Sequence, residues 1–204
     1  MRLPDQHVIC IMTASASRKL QQRLIQTSPD TVVCLSGIVS DCVALLRKVY
    51  EDQDENRRLY GTSGGGLQVV QTISRACQQH SFGGGIRPYG ATVVVVSKER
   101  IWQTHPSGAV REVTDHIHVL GGTPSQQEEL KQQLISSKRT DSTLSEVLEM
   151  GARLLSQQMS KTSKTSLPWL EAMLVSPEKG IYRLNQEQIE ALIQKVGNQA
   201  NQRE

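Results

Sequence analysis

Aromatic side chains are scarce in this sequence: two tryptophans, four tyrosines and one phenylalanine make up 3% of 204 residues. Single-stranded nucleic acid is held by stacking bases on aromatic platforms, and so few rings provide none. Basic residues exceed acidic ones by only three, and they are spread along the chain rather than gathered into a stripe. A phosphate-backbone footprint is therefore not expected, and nucleic acid is excluded as a partner. No apolar run approaches the ~20 residues that cross a bilayer, and the opening MRLPDQHV has no signal-peptide core. No membrane partner is expected, and the chain reads as soluble and intracellular. Its four cysteines, Cys10, Cys34, Cys42 and Cys77, lack the CxxC spacing of metal sites and sit in apolar surroundings. They read as small buried residues in a reducing compartment. At this length one domain can bury a substantial core without disulfides or metals, and no cofactor is implied.

What is present is a clear order of elements. HVICIMT and TVVCLS read as strands joined by a polar stretch, after which the period changes. Ile38, Cys42, Leu45, Leu46 and Val49 step by three and four, the stripe of a helix running into the charged EDQDENRR, a solvated helix end. A second helix follows the Gly61–Gly66 linker, with Leu67, Val70, Ile73 and Cys77 on one face. Strands are expected at Ala91–Val96, Ile101–Thr104 and His116–Leu120, the first two joined by the charged turn SKER. Two helices come next, one begun by Pro124 and one capped by Ser142, with Ser145 and Glu146 in its first turn. After the polar loop SKTSKTS come a strand at Trp169–Val175, a turn at Pro177–Gly180, the short strand IYRL, and a last helix capped by Asn185. That helix turns Ile189, Leu192, Ile193 and Val196 inward. Strands arriving in pairs argue for antiparallel sheets rather than a doubly wound parallel one. The simplest arrangement is α+β, a four-layer αββα sandwich of two antiparallel sheets flanked by helices.

The stretch SFGGGIRPYGATVVVV, residues 81–96, raises the question of a phosphate cradle. A phosphate loop needs a strand before its glycines and a helix after them, and here the order is reversed. The glycines end a helix, and Pro88 sets a turn into a core strand. Other constellations are weak. Ser107, His105 and Asp115 are close in sequence, but triads are assembled from distant segments. His116 and His118 would share a strand face, and Cys77 with His80 is the only nearby-looking pair to complete a metal site. The simpler reading puts both histidines on the polar side of a strand with Ile117 and Val119 inside. No metal ligands and no catalytic residues are assigned.

The tetrad Arg87-Pro88-Tyr89-Gly90, the apolar strand behind it and WQTHPSG (residues 102–108) closely resemble α-type subunits of the proteasome core particle. In that family the matching strand and turn read much like RPYG, apolar residues, then YQTDPSG. VVCLSGIVSDCVALLRKV (residues 32–49) resembles its strand, Ser-Gly turn and first long helix, where SGLxAD is typical. LYGTS followed by a helix, and WLEAMLVSPEKGIYRLNQEQIEAL, fit its later segments. The likeness runs from about His7 to Lys195, so residues 1–204 are expected to form a single α-type domain. Three departures stand out. The six residues before His7 hold no gate-forming tail, outer helix or first strand, so the domain reads as truncated at its start. SKER is shorter than the family's turn, and His105 stands where aspartate is usual.

The resemblance implies the fold of N-terminal nucleophile hydrolases, whose nucleophile is the residue exposed at the start of a strand. Met1-Arg2-Leu3-Pro4 supplies none, and cleavage at the first Gly-Thr pair, Gly61-Thr62, would remove the opening strands. A non-catalytic subunit of a threonine-protease complex is thus implied, active in ubiquitin-dependent protein degradation in the cytoplasm and nucleus. Its implied partners are the other α-type subunits of a heptameric outer ring, the catalytic β-type subunits, and an activator or regulatory particle. Its roles would be assembly, substrate entry and activator docking. The alternatives are a free-standing hydrolase relative with amidase or peptidase activity, and a degenerate paralogue that does not assemble. By the same resemblance the helices from Ile38 and Leu67 face the catalytic ring, with Val39, Val43 and Leu59 as candidate interface anchors. Arg23 falls on the family lysine that accepts the C-terminal carboxylate of activator tails; Arg18 and Lys19 carry the same charge nearby.

Overall fold

The computed structural model describes residues 2–3, 8–15, 22–83, 87–98, 100–115, 117–137, 143–162, 169–176 and 178–201. In chain order come strands β1 (Arg2–Leu3), β2 (Val8–Ser15), β3 (Leu24–Ser28) and β4 (Thr31–Gly37), then helices α1 (Val39–Tyr60) and α2 (Gly66–Phe82). Strands β5 (Ala91–Ser97), β6 (Arg100–Thr104) and β7 (Val110–Glu112) precede α3 (Pro124–Ser137) and α4 (Leu144–Thr162). Strands β8 (Trp169–Ser176) and β9 (Gly180–Arg183) and helix α5 (Gln186–Asn201) complete the chain. The strands form two antiparallel sheets, ordered β1-β2-β8-β9 and β3-β4-β5-β6-β7, and each has its own helices. This is the α+β class that paired strands and paired helices predict.

Two compact units share the chain. The larger sheet organises Arg23–Asp115 together with Val175–Ile181. Its centre is the β4–β5 ladder, in which Val33 faces Val95 and Leu35 faces Val93. β-Branched side chains suit this pleated surface, and both faces of β4 and β5 are buried, so TVVCL and VVVV read as continuous apolar runs. Val33, Leu35, Val93, Val95 and Trp102 meet Cys42, Leu45 and Val49 of α1 and Val69, Val70, Ile73 and Cys77 of α2 in one core. The 3.6-residue period of each helix is what brings those positions to the sheet. Burying a leucine or isoleucine there contributes about 1.5–3 kcal/mol.

The second unit comprises Met1–Gln22, His116–Leu174 and Tyr182–Glu204. Leu170 and Ala172 of β8 pack with Val147, Leu148 and Ala152 of α4 and with Leu184 and Ile189, while Leu192 and Ile193 lie against the same cluster. Both helices start in capping boxes. The Gln188 N–H donates to Asn185 Oδ1 at 2.8 Å and the Asn185 N–H donates back to Gln188 Oε1 at 2.9 Å, as expected for Asn185. At α4 the cap is Thr143, not Ser142. Its N–H donates to Glu146 Oε2 at 2.8 Å, and its hydroxyl accepts from the Glu146 N–H at 3.4 Å. Thr143 is three residues before Glu146, the spacing a capping box needs, whereas Ser142 lies outside the described residues.

Three strand expectations change. β1 lies in the six residues before His7, where no strand was expected, and β3 in the stretch read as a polar connection; β3 buries its end residues, Leu24 and Ser28, exposes Gln26, and packs half-buried Ile25 against the core. The strand expected at His116–Leu120 is absent over described residues 117–120, although Ile117 is buried as expected. The third strand of the hairpin series is instead Val110–Glu112, all three residues exposed and held by pairing with β6, Thr104 against Val110. The Val113 N–H reaches the Ile101 carbonyl at 2.7 Å and closes that ladder before the chain departs.

Candidate functional site

Tetrad 87–90 turns out to be half of a clamp whose other half lies at the start of α1. The Arg87 guanidinium donates from Nη1 to Asp41 Oδ2 at 2.6 Å and from Nη2 to Asp41 Oδ1 at 2.8 Å. The Gly90 N–H adds a third bond to Oδ2 at 2.7 Å, and the Gly90 carbonyl accepts the Ile38 N–H at 2.8 Å. Asp41 is 6% exposed, so a carboxylate there requires such partners. Its acidity follows: the Arg87 bonds first, then the Gly90 N–H, hold its pKa at about 2 against the opposing effect of burial. Tyr89 is buried and stacks on His80 with ring centroids 4.0 Å apart, while His80 Nδ1 lies 3.3 Å from the Arg87 carbonyl.

Glycine is required where the two chains touch. Gly37 has φ +129°, in the left-handed half of the map, and a Cβ there would collide with the Gly90 carbonyl and lie 2.8 Å from Ala91 Cα. At Gly90 a Cβ would come within 2.6 Å of Ile38 Cδ1. The Ser-Gly turn and the tetrad therefore set the angle at which α1 leaves the sheet. Gly83 ends α2, its N–H bonded to the Gln79 carbonyl at 3.0 Å, in keeping with a glycine run that serves geometry; Gly84 and Gly85 lie outside the described residues.

So fixed, α1 carries exposed apolar side chains, Val43 on one side and, about 160° around the helix, Leu59 in the exposed last turn. Val43 is 52% exposed and Leu59 64%, whereas Val39 is half-buried. Tyr50, Tyr60, Leu67, Ile38 and Phe82 are also exposed and were not among the interface candidates; Ile38 and Leu67 had been read as part of the apolar stripes of their helices. Val39, Val43 and Tyr50 share helical spacing, the signal that could have found Tyr50. Between α1 and α2 runs a groove of about 350 Å³ lined by Asp52, Leu67, Gln68, Thr72 and Arg75. Gln68 bridges the helices through Asp52 Oδ2 at 3.0 Å.

Arg23 is half-buried at the foot of α1, where its Nη1 donates to the Gly37 carbonyl at 3.3 Å and lies 4.0 Å from Cys42 Sγ. Arg18 and Lys19 lie outside the described residues. His105 and Ser107 do meet, Nδ1 to Oγ at 2.9 Å, but as neighbours in an exposed turn; Asp115 is exposed beyond β7. Cys77 is buried in the core and His80 is committed to the Tyr89 stack, while His116 lies outside the described residues. Among the described residues no three His, Cys, Asp or Glu side chains are grouped to hold a metal. Burial raises the thiols of Cys34 to about 12 and Cys77 to about 11, and also raises that of Cys42, as unreactive core cysteines require; the Cys10 side chain is not described. No described helix is long and apolar enough to cross a membrane.

Residues 5–167 match the family model described as "Proteasome subunit". "Proteasome subunit alpha" of Pyrococcus abyssi is 22% identical over 211 residues, covering 100% of this chain and 78% of that protein. The protein of the same name from Methanopyrus kandleri is 24% identical, over 86% of this chain and 70% of its own length. "Proteasome subunit alpha type-2" of Caenorhabditis elegans is 27% identical over 44% of this chain and 41% of that protein. With most of its length matched, and with the tetrad and the Ser-Gly turn meeting in one clamp, this chain belongs to the proteasome subunit family, and the relatives it matches here are of the α type.

Proposed function

We propose that residues 1–204 form one α-type domain that serves as a non-catalytic, structural subunit of the outer ring of the proteasome core particle. There it supports assembly, substrate entry and activator docking in ubiquitin-dependent protein degradation, in the cytoplasm and nucleus. Its partners are the other α-type subunits of a heptameric ring, the β-type subunits of the catalytic ring, and an activator or regulatory particle. One observation carries the reading: a helix set rigidly by the Asp41–Arg87 clamp turns apolar side chains to solvent, Val43 at 52% and Leu59 at 64% exposure. Exposed apolar anchors on a rigid element are what a permanent subunit interface uses. Val39, one turn before Val43, lies beside it and is already half-buried.

Arg23 is the second part of the proposal. A half-buried guanidinium at the foot of α1 can hold the C-terminal carboxylate of an activator tail through two parallel N–H bonds. The assembly role is tested by Val43→Asp, followed by co-purification of the chain with β-type subunits. A buried unpaired carboxylate at the interface should abolish recovery of the complex. Unchanged recovery overturns the assignment of this face.

A further inference from the structure

We propose that the groove between α1 and α2 docks the same groove of a second copy of this chain, with Glu55 of each copy on Arg75 of the other. The walls of the groove are fixed. The Asp41–Arg87 clamp sets α1, and Gln68 donates across the groove to Asp52 Oδ2 at 3.0 Å. Ser74 and Ser81 tie α2 to the β6–β7 turn, donating to the Gly108 carbonyl at 2.6 Å and to the Pro106 carbonyl at 3.1 Å. The cavity of about 350 Å³ beside Leu67 is adjoined by one of about 210 Å³, and the two share Asp52, Thr72 and Arg75.

Most charges along this groove are matched within the chain. Glu51 pairs with Arg47 at 3.3 Å and with Lys48 at 3.1 Å, and Asp52 accepts from Gln68 and, at 3.2 Å, from Asn56. Two are not. Glu55 on the α1 wall and Arg75 on the α2 wall line the second cavity and are exposed, and among the described residues neither has an ion-pair or hydrogen-bond partner. An occupant must bring a cation to Glu55 and a carboxylate to Arg75 at the spacing of the two walls. The groove itself carries that pair. A two-fold axis running along the groove, midway between its walls, sets α1 of one copy over α2 of the other and makes both contacts at once, as an isologous interface requires.

The same rotation matches the apolar residues near the connection between the helices. Leu59 follows Glu55 by one turn and Leu67 precedes Arg75 by about two, and they are 64% and 54% exposed. They stand on opposite walls, so the axis turns Leu59 of one copy toward Leu67 of the other. Area sets the strength. The 17 residues of α2 span about 25 Å and two helices side by side about 20 Å, so the pair of faces buries about 1,000 Å². That is the low end for specific association, and the dimer is a reversible one in the micromolar range. Val43 lies about two and a half turns before Asp52, on the far side of α1, so this contact does not rest on the interface assigned there.

The test is sedimentation equilibrium of the purified chain between about 1 and about 100 μM, at low and at high salt. The unmodified chain should pass from monomer to dimer over this range and dissociate severalfold more readily at high salt. Glu55→Arg leaves two cations in the groove and Arg75→Glu two carboxylates, so each variant alone should dimerise at least about tenfold more weakly. An equimolar mixture of the two makes both contacts again and should recover the dimer. Both positions are exposed, so folding should be unaffected, and Val43→Asp should dimerise like the unmodified chain. A chain that stays monomeric, self-association of any size that the single variants leave unchanged, a mixture no more associated than its components, or loss of the dimer in Val43→Asp overturns the proposal. So does a monomeric chain whose recovery with β-type subunits falls in Glu55→Arg and Arg75→Glu, which would make that subunit the occupant of the groove.

Discussion

Replacing Asp41 by asparagine keeps the shape of the clamp and removes its charge. One oxygen becomes an NH2 group, which either faces the Arg87 guanidinium donor to donor or turns away from the Gly90 N–H. The magnitude follows from the acidity of Asp41. Its carboxyl lies at about 2 in the fold, against an ordinary value near 4, and two units correspond to ~2.7 kcal/mol. Arg87 is 62% exposed, so solvent screens part of this, and about 1–2 kcal/mol is the expected loss in Asp41→Asn. The sign fixes the pH dependence. A carboxylate depressed in the folded state contributes its stabilisation fully above the unfolded pKa, near 4, and loses it as pH falls through about 2. Urea denaturation of both proteins should therefore give a difference that is constant from about pH 7 to about pH 5 and shrinks steadily toward about pH 2.5. Equal stability at neutral pH, or a difference that persists unchanged into acid, refutes the clamp as a source of stability.

Gly37→Ala should be more damaging than its size suggests. The φ of +129° alone costs about 1–3 kcal/mol for a residue with a Cβ, and the Gly90 carbonyl must also move, so the urea midpoint should drop at least as far as in Asp41→Asn. Asn185→Ala removes one side of a capping box and should cost about 1 kcal/mol, read as faster amide exchange in the first turn of α5 with the α1–α2 core unaffected. Arg23→Ala in assembled particles should weaken binding of an activator or a tail peptide by about ten- to a hundredfold, and Arg23→Lys should recover much of it. Unchanged affinity in Arg23→Ala, with Arg18→Ala and Lys19→Ala as controls, removes Arg23 from that role.

Elements that bury one stripe or two faces were legible in the sequence. Leu45 and Val49, Val70 and Ile73, and the valines of β5 announce themselves because burial imposes a period or a continuous apolar run. β7 could not be found this way: Val110, Arg111 and Glu112 are all exposed, and only their pairing to β6 makes them a strand. The alternation of Ile117 and Val119 suggested a strand that no neighbouring backbone takes up in the described residues. For the site, Arg87-Pro88-Tyr89-Gly90 was recognisable as a turn, but its partner Asp41 is 46 residues earlier and reads locally as an ordinary first-turn acid. Pairing across that distance is a property of the sheet between them, since β4 and β5 bring Gly37 opposite Ala91.

That same ladder has a consequence for synthesis. β4 pairs with β3 through a tight local connection, yet its other edge waits for β5, which leaves the ribosome only after both long helices have been made. During that interval the run Thr31–Leu35 displays open backbone groups between two apolar faces, the pattern most prone to pairing with the wrong chain. Closure of so large a loop is slow, and the helix pair can shorten it only by packing before its strand arrives. Substitutions that delay α1 or α2, such as a proline in the α1 interior, should therefore lower the soluble yield of newly made chains more than they lower the stability of chains already folded.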